Sequence, residues 1–462
     1  MIGLLGGGRA EAAEPLTVWS AYSGREELGL RAAIAAYQRS QPGLEVKLLS
    51  IPFGAYLAKL EAAIPAGNGP DLFVDSHERM PELAARDLLE PWPDTSSAEA
   101  EFPRAQLDSL SNAGKLLGLP LSLKSLALYV NTALVPNGEV SSTDELESLR
   151  ASLPTGTYPL VFEAENPYYA SAALHAFGGA LLSKTGDYAF VGAPAERTLE
   201  LLTRWTRAGV VPEAPSGDLV KRLFATGKAA TAISGPWLAA DLPPTLAFRI
   251  QTLPRLSEAS GADLLPFVTI EAAFVSRHTP RENQARALAA FLAGEAGARI
   301  RAEIGGQVVA LASIRENSSD PRLRAFARAA ALGVPMPVHP RMHAVWEPAG
   351  RALQSALRGG TPARVALASA AAMFARNTRP APAKAQPAWL LGLLGLVTLW
   401  GAFSLLSRAR NADFRRSIAR SLPAYRYLLL TTTAVVALVI VPLGAGVLIS
   451  FFSGRGRDFT YV

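Results

Sequence analysis

From Leu16 onward, short apolar runs alternate with stretches whose apolar positions recur every three to four residues. LTVWS (16–20) and LEVKLL (44–49) read as strands, while 26–39 between them has helical periodicity. The rhythm continues with a helix over 56–66, a strand over 71–75, a helix over 80–86 and apolar strand material across 117–130. Further strands are expected at 159–163, 228–233, 246–253 and 268–276, with helices at 195–208, 217–226, 281–293, 296–304, 320–332 and 346–357. Interleaved strands and helices predict an α/β domain over residues 15–375. No internal repeat is visible.

Past that domain the pattern changes. Residues 376–387 are rich in Pro and Ala and read as a tether of polyproline character, reaching roughly 35 Å at about 3.1 Å per residue. Residues 388–406 then form an uncharged apolar run, and 427–452 a second, longer one containing Pro442. At about 1.5 Å rise per residue each spans a hydrocarbon layer of about 30 Å, which predicts two transmembrane helices, the second kinked at its proline.

Composition agrees with a membrane segment. The chain has 462 residues, 49% hydrophobic and 18% charged, with a mean hydropathy of +0.18, too apolar for a soluble protein of about three folding units. Cysteine is absent, which removes disulfides, thiolate nucleophiles and zinc–thiolate sites.

The net charge of +6 is uneven. Residues 376–462 carry eleven Lys and Arg against two acidic residues, leaving the rest of the chain mildly acidic. A nucleic-acid partner would need a basic stripe on the folded domain, and none is there to find. The excess lies in 407–426, where Arg408, Arg410, Arg415, Arg416, Arg420 and Arg426 face one acid, Asp413. This stretch is expected to be an Arg-rich cytoplasmic loop. The first helix then runs from outside to inside, the large domain is extracytoplasmic, and residues 453–462 form an outer tail. Trp389, Trp400, Tyr425 and Tyr427 stand near the run ends, as interfacial aromatics do. Residues 1–14 make a poor signal segment: the apolar stretch is short and no positive region precedes it, although Ala10-Glu11-Ala12 could be cleaved. The expectation is a start further upstream or a degenerate signal.

Five ordered segments carry a family likeness: GNGPDLFVDSHER (67–79), GKLLGLPLSLKSLALYVNTALV (114–135), FEAENPYYASAALHAFGGA (162–180), LFATGKAATAISGPW (223–237) and MPVHPRMHAVW (336–346). In order and rough spacing, residues 15–375 resemble periplasmic solute-binding proteins of ABC importers, in the maltose-binding-protein-like branch that takes sugars. The resemblance implies a two-lobed periplasmic-binding-protein fold, type II-like, closing on a carbohydrate ligand, with no cofactor and no enzymatic activity. SLPAYRYLLL, VIVPLGAGVLISFF and FTYV at the C-terminus resemble the opening helix of the partner permease, which implies a binding protein fused to the start of its permease. A permease of this type needs further helices beyond those written here, so the resemblance implies further ABC permease subunits, a separate ATPase subunit and the lipid bilayer as partners. The implied location is the inner membrane, with the large domain outside.

By motif position Trp237, Trp346 and Tyr168 resemble the family's sugar-stacking rings, and Asp75, Glu78, Arg79 and Asn166 its polar contacts. Such a division suits a sugar, whose C–H faces want flat apolar surfaces and whose hydroxyls want directional partners. The departures point to a changed specificity. Asp75 stands where maltose binders have an aromatic residue, Lys124 replaces an acid, Asn166 replaces a glutamate, and Gly350 holds the place of an arginine that Arg351 follows. Lys124 in a cleft could meet an acidic sugar or pair with Asp75.

Blander readings stand beside these. Trp237 and Trp346 could be ordinary core or rim aromatics, Glu78 and Arg79 a solvated pair, and Lys124 a snorkelling surface residue. A rival function is a membrane-anchored sugar sensor or scaffold on the same fold. A glycosidase built on Glu163 and Glu165 has only i,i+2 spacing behind it. HPRMH lacks the glutamate of a HExxH zinc site, and GKAA at 227–230 is not a phosphate-binding loop.

Overall fold

The computed structural model describes residues 14–380, 388–449, 452–455 and 458–461; the expected signal segment and most of the tether lie outside the described residues. The chain divides into two compact units, one ending at Thr378 and the other starting at Arg379.

In the first unit ten strands build two sheets: β1 (Leu16–Ser20), β2 (Val46–Ser50), β3 (Leu72–Ser76), β4 (Gly118–Lys124), β5 (Ala127–Asn131), β6 (Tyr158–Val161), β7 (Ala229–Ser234), β8 (Phe248–Gln251), β9 (Phe267–Val275) and β10 (Val334–Pro335). The first sheet runs β2-β1-β3-β9-β4, with β10 also on β9; β1, β2 and β3 are parallel, and β9 is antiparallel to both β3 and β4. Parallel neighbours need crossover segments, and helices Gly24–Ser40 and Phe53–Ala63 supply them. The second sheet runs β8-β5-β7-β6.

Each sheet has its own core. Leu16, Val18, Leu30, Leu60, Phe73 and Phe274 belong to one, and Leu128, Leu160, Leu174, Leu202, Trp205 and Leu353 to another. Separate cores make separate lobes, joined where the chain crosses between sheets. Only Ser125 and Leu126 separate β4 from β5. β9 begins in the second core at Phe267 and ends in the first at Phe274. The third crossing passes through helix Pro321–Leu332, and Leu123 and Leu323 pack on both sides of the seam.

Besides five helices of four to six residues, two longer ones escape the periodicity reading. Pro167–Ala176 is buried on nearly every side, so it shows no polar stripe, and Ala363–Asn377 is alanine-rich. The latter takes in Arg376 and Asn377, so the tether starts later than its composition suggests.

In the second unit both apolar runs are helical: Ala388–Ala409, then Ala412–Val435 continued by a π turn at Val436–Ile440 and by Val441–Ile449. The expected loop at 407–426 shrinks to Arg410 and Asn411, and its other arginines lie on helix. Asn411 explains the restart, because its side chain accepts the backbone N–H of Asp413 at 2.9 Å as an N-cap. Pro442 cannot donate to the carbonyl four residues earlier, and the wider turn at Val436–Ile440 falls at that point. Among the described residues, Tyr427–Gly444 is the stretch long and apolar enough to cross a membrane, with mean hydropathy 2.1. The expected tail contains an antiparallel pair, Phe452–Arg455 with Asp458–Tyr461.

Candidate functional site

Between the lobes lies a cleft of about 940 Å³. Its first-lobe wall comes from the N-terminus of helix Gly24–Ser40, from Phe53 and Leu57, from the turn after β3 and from the inward positions of β4 and β9. The second-lobe wall comes from the loop after β6, the start of helix Pro167–Ala176, the loop after β7 and the start of helix Trp346–Leu357. Strand ends and helix starts meet here because both lobes turn the same edge toward the seam.

Seven of the eight residues singled out in the sequence line this cleft: Trp237, Trp346, Tyr168, Glu78, Arg79, Asn166 and Lys124. Trp237 is 37% exposed, and its ring folds over Gly235, where a Cβ would fall 2.1 Å from the ring. Glycine in SGPW is therefore a clearance for the tryptophan. Tyr168 is half-buried, nearly parallel to Phe267 at 6.4 Å and edge-on to Tyr169 at 5.7 Å. Burial pushes the Tyr168 and Tyr169 hydroxyls well above their ordinary titration range, so both act as neutral donors or acceptors. The Asn166 side chain caps its helix by accepting the N–H of Tyr168 at 3.0 Å.

Asp75 is the exception. It is 3% exposed and lies behind the cleft wall rather than on it. Its carboxylate accepts from Arg79 at 3.3 Å and from the Ser76 N–H at 2.8 Å, while Oδ2 has no partner. Burial pushes its carboxyl up to about 7, against the pull of Arg79. Strand alternation explains the misplacement: Asp75 is buried within β3, and the chain reaches the cleft only at Ser76 and beyond. Asp75 thus holds Arg79, which also stacks on Phe53 with Cζ 4.3 Å from the ring centre.

Glu78 and Arg79 are not a solvated pair with each other. Glu78 accepts the Ser76 hydroxyl, and Arg79 goes to Asp75. Lys124 neither snorkels nor reaches Asp75. Its ammonium lies 3.2 Å from Glu26, 3.7 Å from Glu271 and 4.9 Å from the centre of the Tyr22 ring. Burial pushes the lysine down, but Glu26 and Glu271 outweigh it and hold the ammonium charged. Glu271 in turn is raised by burial despite Lys124.

Glu26, Glu271, Phe53, Tyr169 and Thr269 on the cleft wall escaped the motif reading. Glu271 had a signal of its own: a single acid inside the apolar strand FVTIEAAFV. Glu26 had none, because an acid in a first helical turn is ordinary dipole chemistry. Of the Glu163 and Glu165 pair, Glu163 lines the cleft, whereas Glu165 is taken by a two-pronged ion pair with Arg358.

His77 ties the seam beneath the site. Its Nδ1 accepts the Ile270 N–H at 3.0 Å, so the proton of the neutral ring is on Nε2, which donates to the Met336 carbonyl at 3.3 Å.

A two-lobed α/β clamp with a mixed aromatic and polar interlobe cleft is the architecture of a solute receptor. The chain belongs to the bacterial extracellular solute-binding protein family, which matches over residues 32–325. It is 26% identical over 376 residues to the galactooligosaccharide-binding protein of Bacillus subtilis (strain 168), covering 77% of this chain and 87% of that one. It is 23% identical over 350 residues to a maltooligosaccharide ABC transporter solute-binding lipoprotein of Streptococcus pneumoniae (strain ATCC BAA-255 / R6), covering 72% and 81%. In structure it resembles the Thermus thermophilus maltotriose binding protein bound with maltotriose, with TM-score 0.72, 24% identity and coverage of 79% and 100%.

Proposed function

We propose that the protein is the extracytoplasmic carbohydrate-binding component of an ABC importer, carried on the membrane by its C-terminal helices and fused there to the start of a permease. The observation that carries the receptor reading is the cleft: three aromatic residues on one lobe, Tyr168, Trp237 and Trp346, stand on a common cavity with charged groups of the other lobe. Flat rings cover the C–H faces of a sugar while Glu78, Arg79, Lys124, Glu271 and Asn166 meet its hydroxyls. Ligand contacts to both lobes favour the closed state, so binding and closure are coupled through the crossings at Ser125-Leu126 and β9. The names of the relatives support an oligosaccharide and an ABC transporter as partners.

The membrane part of the reading rests on the apolar length of Tyr427–Gly444, on the run at 388–406 and on the arginines between them. A tether keeps the receptor at high local concentration near a permease, so a weak docking contact suffices.

The test is a thermal-shift screen of the detergent-solubilised full chain against neutral galacto- and malto-oligosaccharides. A ligand that binds the folded state raises the melting temperature by mass action. A melting temperature unmoved by every sugar would remove the carbohydrate reading. ATPase stimulation on reconstitution with permease and ATPase subunits distinguishes a transporter component from an anchored sensor.

A further inference from the structure

The arginine segment is a helix with two unlike faces. Phe414 and Ile418 are four residues apart and share one side of Ala412–Val435; Arg416 and Arg420, also four apart, are about 200° round the axis from them at 100° per residue. Arg415 stands beside the apolar side, Arg408 lies in the last turn of the preceding helix, and Arg410 follows in the break between the two. Arg408, Arg410, Arg415, Arg416 and Arg420 are all exposed. The acid among them is Asp413, 3.9 Å from Arg416, and among the described residues no other ion pair involves the five. Pro423 sits inside this unbroken helix without an N–H for the carbonyl of Ala419, a weak point at which the segment before it can bend from the apolar helix after it.

We propose that residues 412–422 form an interfacial helix whose arginine face binds the headgroup phosphates of an anionic phospholipid leaflet. The inference rests on the membrane-spanning reading above. A helix with arginines on one side and Phe414 and Ile418 on the other fits a boundary where headgroups give way to acyl chains. Phosphates complement guanidinium groups of which, among the described residues, Arg416 alone has a carboxylate in reach, that of Asp413 at 3.9 Å. The location follows, because the segment joins two apolar helices at the same membrane side.

Absence of native cysteine makes a single-site probe clean. The full chain carrying Ile418→Cys, labelled with a polarity-sensitive fluorophore, is reconstituted in vesicles of phosphatidylcholine alone or with phosphatidylglycerol added. We expect the label to leave water when phosphatidylglycerol is present and to return as salt is raised. Arg415→Gln, Arg416→Gln and Arg420→Gln together should weaken that docking on the order of a hundredfold, and the corresponding lysine triple should keep most of it. A label equally exposed in both lipid mixtures, or a glutamine triple that responds like the parent, overturns the proposal. Occupancy of this face by an acidic protein would appear as that lipid-blind result. Alkaline carbonate extraction separates the two levels: a chain released by carbonate loses the membrane-spanning reading, whereas a retained chain with a lipid-blind label loses this inference alone.

Discussion

Lys124 Nζ sits 3.2 Å from Glu26 Oε2, at the last residue of β4 before the chain crosses to the second lobe. The pair closes the floor of the cleft, and Glu271 makes it a triad of two acids sharing one cation. Removing the lysine leaves two carboxylates facing each other with little water.

Lys124→Met should therefore destabilise the receptor unit by about 3 kcal/mol at neutral pH. Glu271 is already raised by burial against the pull of Lys124, and losing that pull favours its protonated form further, so the deficit should narrow as pH falls toward 5. Urea unfolding at both pH values checks this; a variant as stable as the parent at neutral pH would mean that the triad is not coupled.

Trp237→Ala should weaken binding at least tenfold for any oligosaccharide that stabilises the parent chain. Because the ring is partly exposed, the loss of unliganded stability should be well below the 3–5 kcal/mol typical of a core tryptophan. Titration calorimetry beside thermal melting separates the two effects. Equal losses in both would make Trp237 a packing residue.

Asp75 and His77 should pull stability in opposite directions as pH changes. The folded Asp75 carboxyl is raised to about 7 from an ordinary 3.8, so it binds protons more tightly folded than unfolded. Its contribution is full below about pH 4 and is lost as pH rises toward 7, by a few kcal/mol at most. His77 is lowered by burial, so its contribution is present above its ordinary value of 6.5 and is lost on acidification. Asp75→Asn should flatten the alkaline decline, and His77→Gln the acid one. Chemical denaturation from pH 4.5 to 8 would reveal both, and an unchanged slope in Asp75→Asn would refute the buried-acid account.

Gly29→Ala should cost about 1–3 kcal/mol although alanine is the better helix former. A Cβ at Gly29 would fall 2.6 Å from Gly305 Cα, backbone that cannot swing aside, and Gly305 lines the cleft. Both thermal midpoint and sugar affinity should drop. Gly54→Ala, with open space at its Cβ, serves as the control and should be neutral or stabilising.

Most elements of the receptor were legible because their apolar residues fall at regular spacings. LTVWS, 217–226, 320–332 and 346–357 all lie within a few residues of observed elements. Helix Pro167–Ala176 was not, since burial all round erases the stripe that periodicity detects. The arginine stretch was legible as charge and misread as loop, because repulsion among like charges says little about backbone once Asn411 caps a run of helix formers.

What the sequence determined by itself is the local inventory: where strands and helices run, where apolar length suits a bilayer, and which aromatics belong to motif positions. Pairing was left to the tertiary structure. Asp75 and Lys124 could have met on sequence grounds, yet strand alternation buries Asp75 under Arg79, and Lys124 meets Glu26 and Glu271 from segments 98 and 147 residues away. Partners that distant are chosen by which strand lies beside which in a sheet, a global outcome that no local spacing encodes.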